Sequence, residues 1–261
     1  MNNRSTPEGS KEEIDFIRRM NRDKANVDWK RLIHGDLTNY FVIHSNRKQR
    51  SLILNKLVSP KADAYVAKGI IPENYLIKGA YYLDESDIEK FRLEKVNHTG
   101  ISVKIHDSYK FTILKISPST FEKVLGDVNL GCGVSIYCQK SKDLEKNKNV
   151  LDGWGTNWHK FKQYFSFIDG INKIDDINYI ESERLDIYKK IKKHSNDNLH
   201  KRITSDKKLL DYVFTGKGNF EEPYTAPWLY HNKLKKNIPT AFKITTGSGR
   251  SRGDYTIVIK P

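Results

Sequence analysis

Apolar residues in this chain come in short runs, of strand length or of helix-stripe spacing, separated by polar, Gly and Pro punctuation. None approaches the ~18 consecutive apolar residues of a membrane span. Strand-like runs at 62–67, 101–105, 110–116, 241–245 and 255–259 alternate with amphipathic stretches. That alternation predicts an α/β fold with a central mixed β-sheet flanked by helices. No internal repeat or clean linker divides the sequence, so one elaborated domain over 1–261 is expected, with residues 1–9 a loose tail.

Local signals place the helices. Ser10 with Glu13 reads as a capping box opening a helix that carries Ile14, Phe16, Ile17 and Met20. Further helices are expected over 28–33, 50–57, 86–91, 157–165, 180–193 and 206–214. Pro118 starts another, which Gly126 stops. A short strand is expected at 75–77, and 107–109 has the length of a hairpin link between 101–105 and 110–116. Periodicity leaves 131–139 open between buried strand and helix. The stretch 216–239, with Pro223, Pro227 and Pro239, reads as loop.

The charge narrows the function. Lys and Arg number 46 against 32 Asp and Glu, a net charge of +14. Such a surface attracts polyanions, nucleic acid first among them. The segment 184–208 holds nine Lys/Arg against three Asp, whereas 63–104 holds seven acids against six bases. A near-neutral middle in a basic frame suits a carboxylate site held against a phosphate backbone. The N-terminus lacks the apolar core of a secretory signal. Cys132 and Cys138 are too few for a disulfide framework, which points to a reducing, cytoplasmic setting and away from membranes.

Two strand-like runs carry polar intruders. Asp63 sits among Ala62, Ala64 and Val66, and Lys104 lies between Val103 and Ile105. Alternation points Ser102 and Lys104 the same way. A lone Asp or Lys is costly to bury unless it is paired or binds a ligand. Asp63 and Lys104 would therefore satisfy each other, or share a metal and a phosphate. The run G-W-G-T-N-W-H ending at His159 matches no His-metal nuclease motif, and Gly247-Ser248-Gly249 lacks the G-K-[ST] ending of a P-loop.

The pattern Pro60-Lys61-Ala62-Asp63, followed by Ile101-Ser102-Val103-Lys104, resembles the PD-(D/E)XK motif of type II restriction endonucleases. The run GISVKIHDSYKFTILKISPSTF resembles that family's second motif strand and its continuation. TTGSGRSRGDYTIVIK resembles a basic terminal strand of such an enzyme. The resemblance implies a restriction-endonuclease-like fold, with Asp63 holding Mg²⁺ and Lys104 as the catalytic lysine. Ser102 stands where the family has its second acid, a departure from the pattern. Glu13 on the preceding helix, or Glu12, Glu94 or Asp107, would supply the missing carboxylate. The span of 39 residues between Asp63 and Ser102 makes 68–99 an insertion.

The same reading names partners. Double-stranded DNA is the expected substrate, met by Arg250 and Arg252 in a Gly/Ser segment and by Lys189 and Lys193 on a basic helix. Arg is the commonest reader of guanine edges. A homodimer suits a palindromic site, and a cognate DNA methyltransferase is the expected genomic neighbour. The alternatives are a non-catalytic basic nucleic-acid-binding protein and a repair- or toxin-type nuclease.

Overall fold

The computed structural model describes residues 7–104, 111–138, 143–238, 241–246 and 255–261, with side chains from Lys11 onward. In chain order the elements begin with α1 (Pro7–Arg22), α2 (Trp29–Leu32), β1 (Tyr40–His44), β2 (Gln49–Arg50), β3 (Leu57–Val58) and β4 (Ala64–Lys68). They continue with α3 (Glu73–Lys78), α4 (Glu85–Phe91), β5 (Glu94–Lys95), β6 (Ile101–Val103), β7 (Leu114–Ile116), α5 (Pro118–Leu125) and α6 (Val128–Ser135). Then come α7 (Asp143–Gly153), α8 (Trp158–Tyr164), α9 (Glu181–Ser205), α10 (Lys207–Thr215), β8 (Trp228–His231), β9 (Lys233–Lys236), β10 (Lys243–Thr246) and β11 (Ile257–Lys260). The chain is α/β, with a mixed central sheet flanked by helices. Its contacts group into two compact units, Met1–Phe111 with Leu210–Pro239, and Thr112–Leu209 with Thr240–Pro261. Among the described residues no helix is long and apolar enough to cross a membrane.

The first unit is built on a sheet of strand order β1-β4-β6-β8-β9, with β5 also paired to β4. β6 and β8 run parallel; the other pairs are antiparallel. Alternation sorts the side chains between two faces. Val42, Val66, Ile101, Val103, Tyr230 and Leu234 share a cluster with Phe16, Ile17 and Met20 of α1. Those three helical residues are buried to 2% exposure or less, at one-turn spacing, and burial of each contributes about 1.5–3 kcal/mol. Asn21 pins the helix: its amide donates to the Val42 carbonyl at 2.8 Å and accepts the Val42 N–H at 2.7 Å. On the other face Phe41, Ile43, Tyr65 and Ala67 pack against Leu76, Leu83 and Leu93 of the insertion.

The second unit pairs β10, β11 and β7 in an antiparallel sheet. Its long helix α9 buries Ile187, Tyr188, Ile191, Ser195, Leu199 and Ile203. The helix α6 approaches it so closely that a Cβ at Gly133 would lie 2.2 Å from Ser195 Oγ.

Several local expectations are met. α4 has a capping box between Asp84 and Asp87. α5 starts at Pro118 with the Ser117 side chain accepting the Thr120 N–H, and ends at Gly126 with φ +85°. The open stretch at 131–139 belongs in part to helix α6.

Others are corrected. α1 starts at Pro7, so Ser10 lies inside the helix rather than at its start. Residues 50–57 are not helical: β2 and β3 form a hairpin, closed where Asn55 takes a left-handed φ of 51° and Ser51 Oγ accepts the Leu54 N–H. Residues 75–77 lie in α3, because Pro72 starts a helix that buries Leu76 against the sheet. Among the described residues β7 pairs with β11 and no pairing with β6 is seen; the hairpin link expected at 107–109 lies outside them. The supposed loop at 216–239 contains β8 and β9.

Candidate active site

β4 and β6 meet through one register pair, Ala64 with Ile101, at the end of β4 that Asp63 leads into. The backbone of Asp63 is fixed on both sides. Its N–H donates to the Ile101 carbonyl at 2.8 Å, and its carbonyl accepts the Ser45 N–H at 3.0 Å. Gly100 lets β6 begin there, since a Cβ at that position would lie 1.8 Å from the Thr225 carbonyl oxygen.

The side chain of Asp63 is then drawn to β6. Its Oδ2 accepts the Val103 N–H at 2.7 Å and the Ser102 hydroxyl at 3.2 Å. Lys104 Nζ stands 3.8 Å from the same oxygen. Ile101 and Val103 turn to α1, so Ser102 turns the other way, and Lys104 joins it at Asp63, as alternation predicts. Asp63 and Lys104 keep 26% and 21% of their side-chain surface exposed, so an incoming ligand can reach both.

Lys61 completes the group, a residue the sequence reading passes over. Its Nζ donates to the Val213 carbonyl at 3.0 Å, in the last turn of α10, where a helix favours a cation. Desolvation and the Lys104 ammonium push its pKa down to about 7, against the pull of Asp63. The signal available was its position inside the P-x-x-D run itself. One carboxylate beside two amines makes a site that attracts anions.

The other candidates fall elsewhere. Glu13 Oε2 lies 3.2 Å from His44 Nε2, and the Tyr82 hydroxyl lies 2.7 Å from His44 Nδ1. This chain of three belongs to the α1 side of the sheet, and the structure does not bring Glu13 to Asp63. Glu94 on β5 is paired with Lys68, at the opposite end of β4 from Asp63. Asp107, Arg250 and Arg252 lie outside the described residues. Lys189 and Lys193 are exposed on α9, in the second unit, and Lys193 Nζ lies 2.6 Å from Asp197 Oδ2.

Mg²⁺ takes one or two carboxylates, keeps several waters and draws on substrate phosphate oxygens. Asp63 fits that minimum, because no described residue engages its Oδ1. Among the described residues no three His, Cys, Asp or Glu side chains converge as metal ligands. The ion would therefore rest on Asp63, water and substrate. Compared with protein-family models, with curated proteins and with solved structures, the chain matches none.

Proposed function

We propose that the chain is a Mg²⁺-dependent type II restriction endonuclease with a restriction-endonuclease-like fold, hydrolysing phosphodiester bonds of double-stranded DNA at a short specific sequence. One observation carries this reading: Val103 N–H, Ser102 Oγ and Lys104 Nζ converge on a single oxygen of Asp63 at one end of the central sheet. Asp63, held by two hydrogen bonds, presents its free oxygen to a cation. Mg²⁺ held there would neutralise the phosphodiester and lower the pKa of bound water. Lys104 adds a point charge beside the scissile phosphate and orients the attacking water. Ser102 keeps the carboxylate turned toward the substrate. A short palindromic site is met by a two-fold protein, so a homodimer belongs to this reading. So does a cognate DNA methyltransferase, since host DNA carrying the same site needs protection.

One observation favours a second reading. Two amines, Lys104 and Lys61, act on the Asp63 carboxylate, and such a group would hold a phosphate with no ion present. The chain would then be a non-catalytic nucleic-acid-binding protein. Incubating supercoiled plasmid with the protein in Mg²⁺ and in EDTA separates the readings. Discrete Mg²⁺-dependent fragments support the restriction enzyme. A smear indicates a repair- or toxin-type nuclease, and unchanged plasmid a binder.

A further inference from the structure

Register and alternation extend the site across the sheet. Ser102 lies beside Leu229 of β8, and Lys104 N–H donates to the Tyr230 carbonyl at 2.9 Å, which brings Lys104 level with His231. Across the next pairing, His231 is opposite Lys233 and Leu229 is opposite Lys235. Directly opposed residues share a face. Trp228, Tyr230 and Leu234 turn to α1, so His231, Lys233 and Lys235 turn to the face that carries Ser102 and Lys104. From Asp63 to the edge strand the face therefore reads Asp63, Lys104, His231, then Lys233 and Lys235. Both of these last lysines are exposed. Between Lys104 and these lysines, His231 is an inner residue of the row: its Nε2 is buried and its ring packs 5.4 Å from that of Phe111, centre to centre.

We infer that this row is a phosphate track, on which the nucleic-acid strand cut at Asp63 lays its neighbouring phosphates over Lys233 and Lys235. The inference rests on the nuclease reading for the position of the scissile bond. Three strand spacings separate β4 from β9, about 14 Å, which is the axial rise of roughly four nucleotides of one strand. Lysines on an edge strand also deter edge-to-edge pairing. Here that task is already done: Leu234 N–H donates to Asp28 Oδ1 at 3.0 Å, and the Leu234 carbonyl accepts from the Arg31 guanidinium. The strand edge is covered without Lys233 and Lys235, which leaves their charge to a ligand.

The test is equilibrium binding of a fluorescent DNA duplex in EDTA, across a series of salt concentrations. The proteins are wild type, Lys233→Gln, Lys235→Gln, the double variant, and Lys68→Gln. Lys68 is an exposed lysine at the far end of β4 and controls for net charge. Each track lysine that meets a phosphate should lower the slope of log K against log salt by about 0.9. The double variant should lose nearly two units and Lys68→Gln none. Wild-type slope in the double variant, an equal loss in Lys68→Gln, or no binding by the wild type would each overturn the track. Because binding is read without cleavage, the two ideas fail separately. A protein that binds with the expected slopes yet never cuts in Mg²⁺ keeps the track and loses the nuclease reading. One that cuts while the double variant keeps the full slope loses the track alone.

Discussion

Lys104 Nζ stands 3.8 Å from Asp63 Oδ2, although the whole of the insertion carrying α3, α4 and β5 lies between the two residues in the chain. The pair is made by one register contact, Ala64 with Ile101, and by the Val103 N–H that ties the Asp63 carboxylate to β6. Neither side chain is sealed from solvent, so the pair is not a buried structural ion pair.

Asp63→Asn and Lys104→Ala should each reduce cleavage by orders of magnitude while leaving duplex affinity within a few-fold of wild type. The asparagine side chain still offers an oxygen to the Val103 N–H, so the local fold is kept. Phosphate contacts elsewhere dominate affinity. Single-turnover cleavage and binding in EDTA, measured on the same preparations, check this; cleavage near the wild-type rate in either variant contradicts the assignment.

Ser102→Ala should cost far less activity than Asp63→Asn. The hydroxyl, at 3.2 Å, is the longer of the two hydrogen bonds to Asp63 Oδ2, and the shorter one from Val103 N–H remains. A lost hydrogen bond of this kind costs about 0.5–1.5 kcal/mol, so the rate should fall by about tenfold or less. A loss equal to that of Asp63→Asn would show that the hydroxyl holds the attacking water or the metal.

Glu13→Gln should lower stability by about 1 kcal/mol and leave the Mg²⁺ dependence of cleavage unchanged. Its carboxylate is engaged by His44, on the α1 side of the sheet. Urea unfolding and a Mg²⁺ titration of the cleavage rate separate the two effects. A raised Mg²⁺ requirement would make Glu13 a metal ligand after all.

Stability should depend on the state of Lys24. Its ammonium donates to the Tyr40 carbonyl and stands 4.6 Å from the Trp29 ring centre and 4.5 Å from that of Phe41. Desolvation lowers its pKa to about 8, with Glu73 pulling it back up. Between pH 8 and about 10.4, the ordinary lysine value, the unfolded chain binds more protons than the folded one. Stability from this residue therefore rises with pH across that window, with a slope below the single-proton limit of about 1.4 kcal/mol per pH unit. Urea unfolding at several pH values should show that rise in wild type and its loss in Lys24→Met; identical pH profiles would contradict the assignment.

The legible parts of this molecule are those whose signal is local. Asp84, Ser117 and Asn157 each cap a helix that the sequence places correctly, because a short polar side chain before an amphipathic run has one economical use. Ser102 and Lys104 could be assigned to one face from alternation alone, and that placed them both at Asp63. What escaped was decided at a distance. β8 and β9 lie between Pro227 and Pro239 and carry Lys233, Lys235 and Lys236, so composition reads them as loop. Only the cluster with α1 shows that Trp228, Tyr230 and Leu234 are an inward stripe. β1, Tyr40–His44, went unread for a similar reason: it becomes a strand by pairing along its whole length with β4. Lys61 reaches the site because α10 ends beside it, and no spacing in the sequence records that meeting.

The most direct measurement is to sequence the ends of the fragments produced when the wild-type protein acts on plasmid DNA in Mg²⁺, with Asp63→Asn treated in parallel. The account predicts that the ends share one short sequence and that the variant leaves the plasmid intact. Uncut plasmid, ends scattered at random, or equal cutting by Asp63→Asn would contradict it.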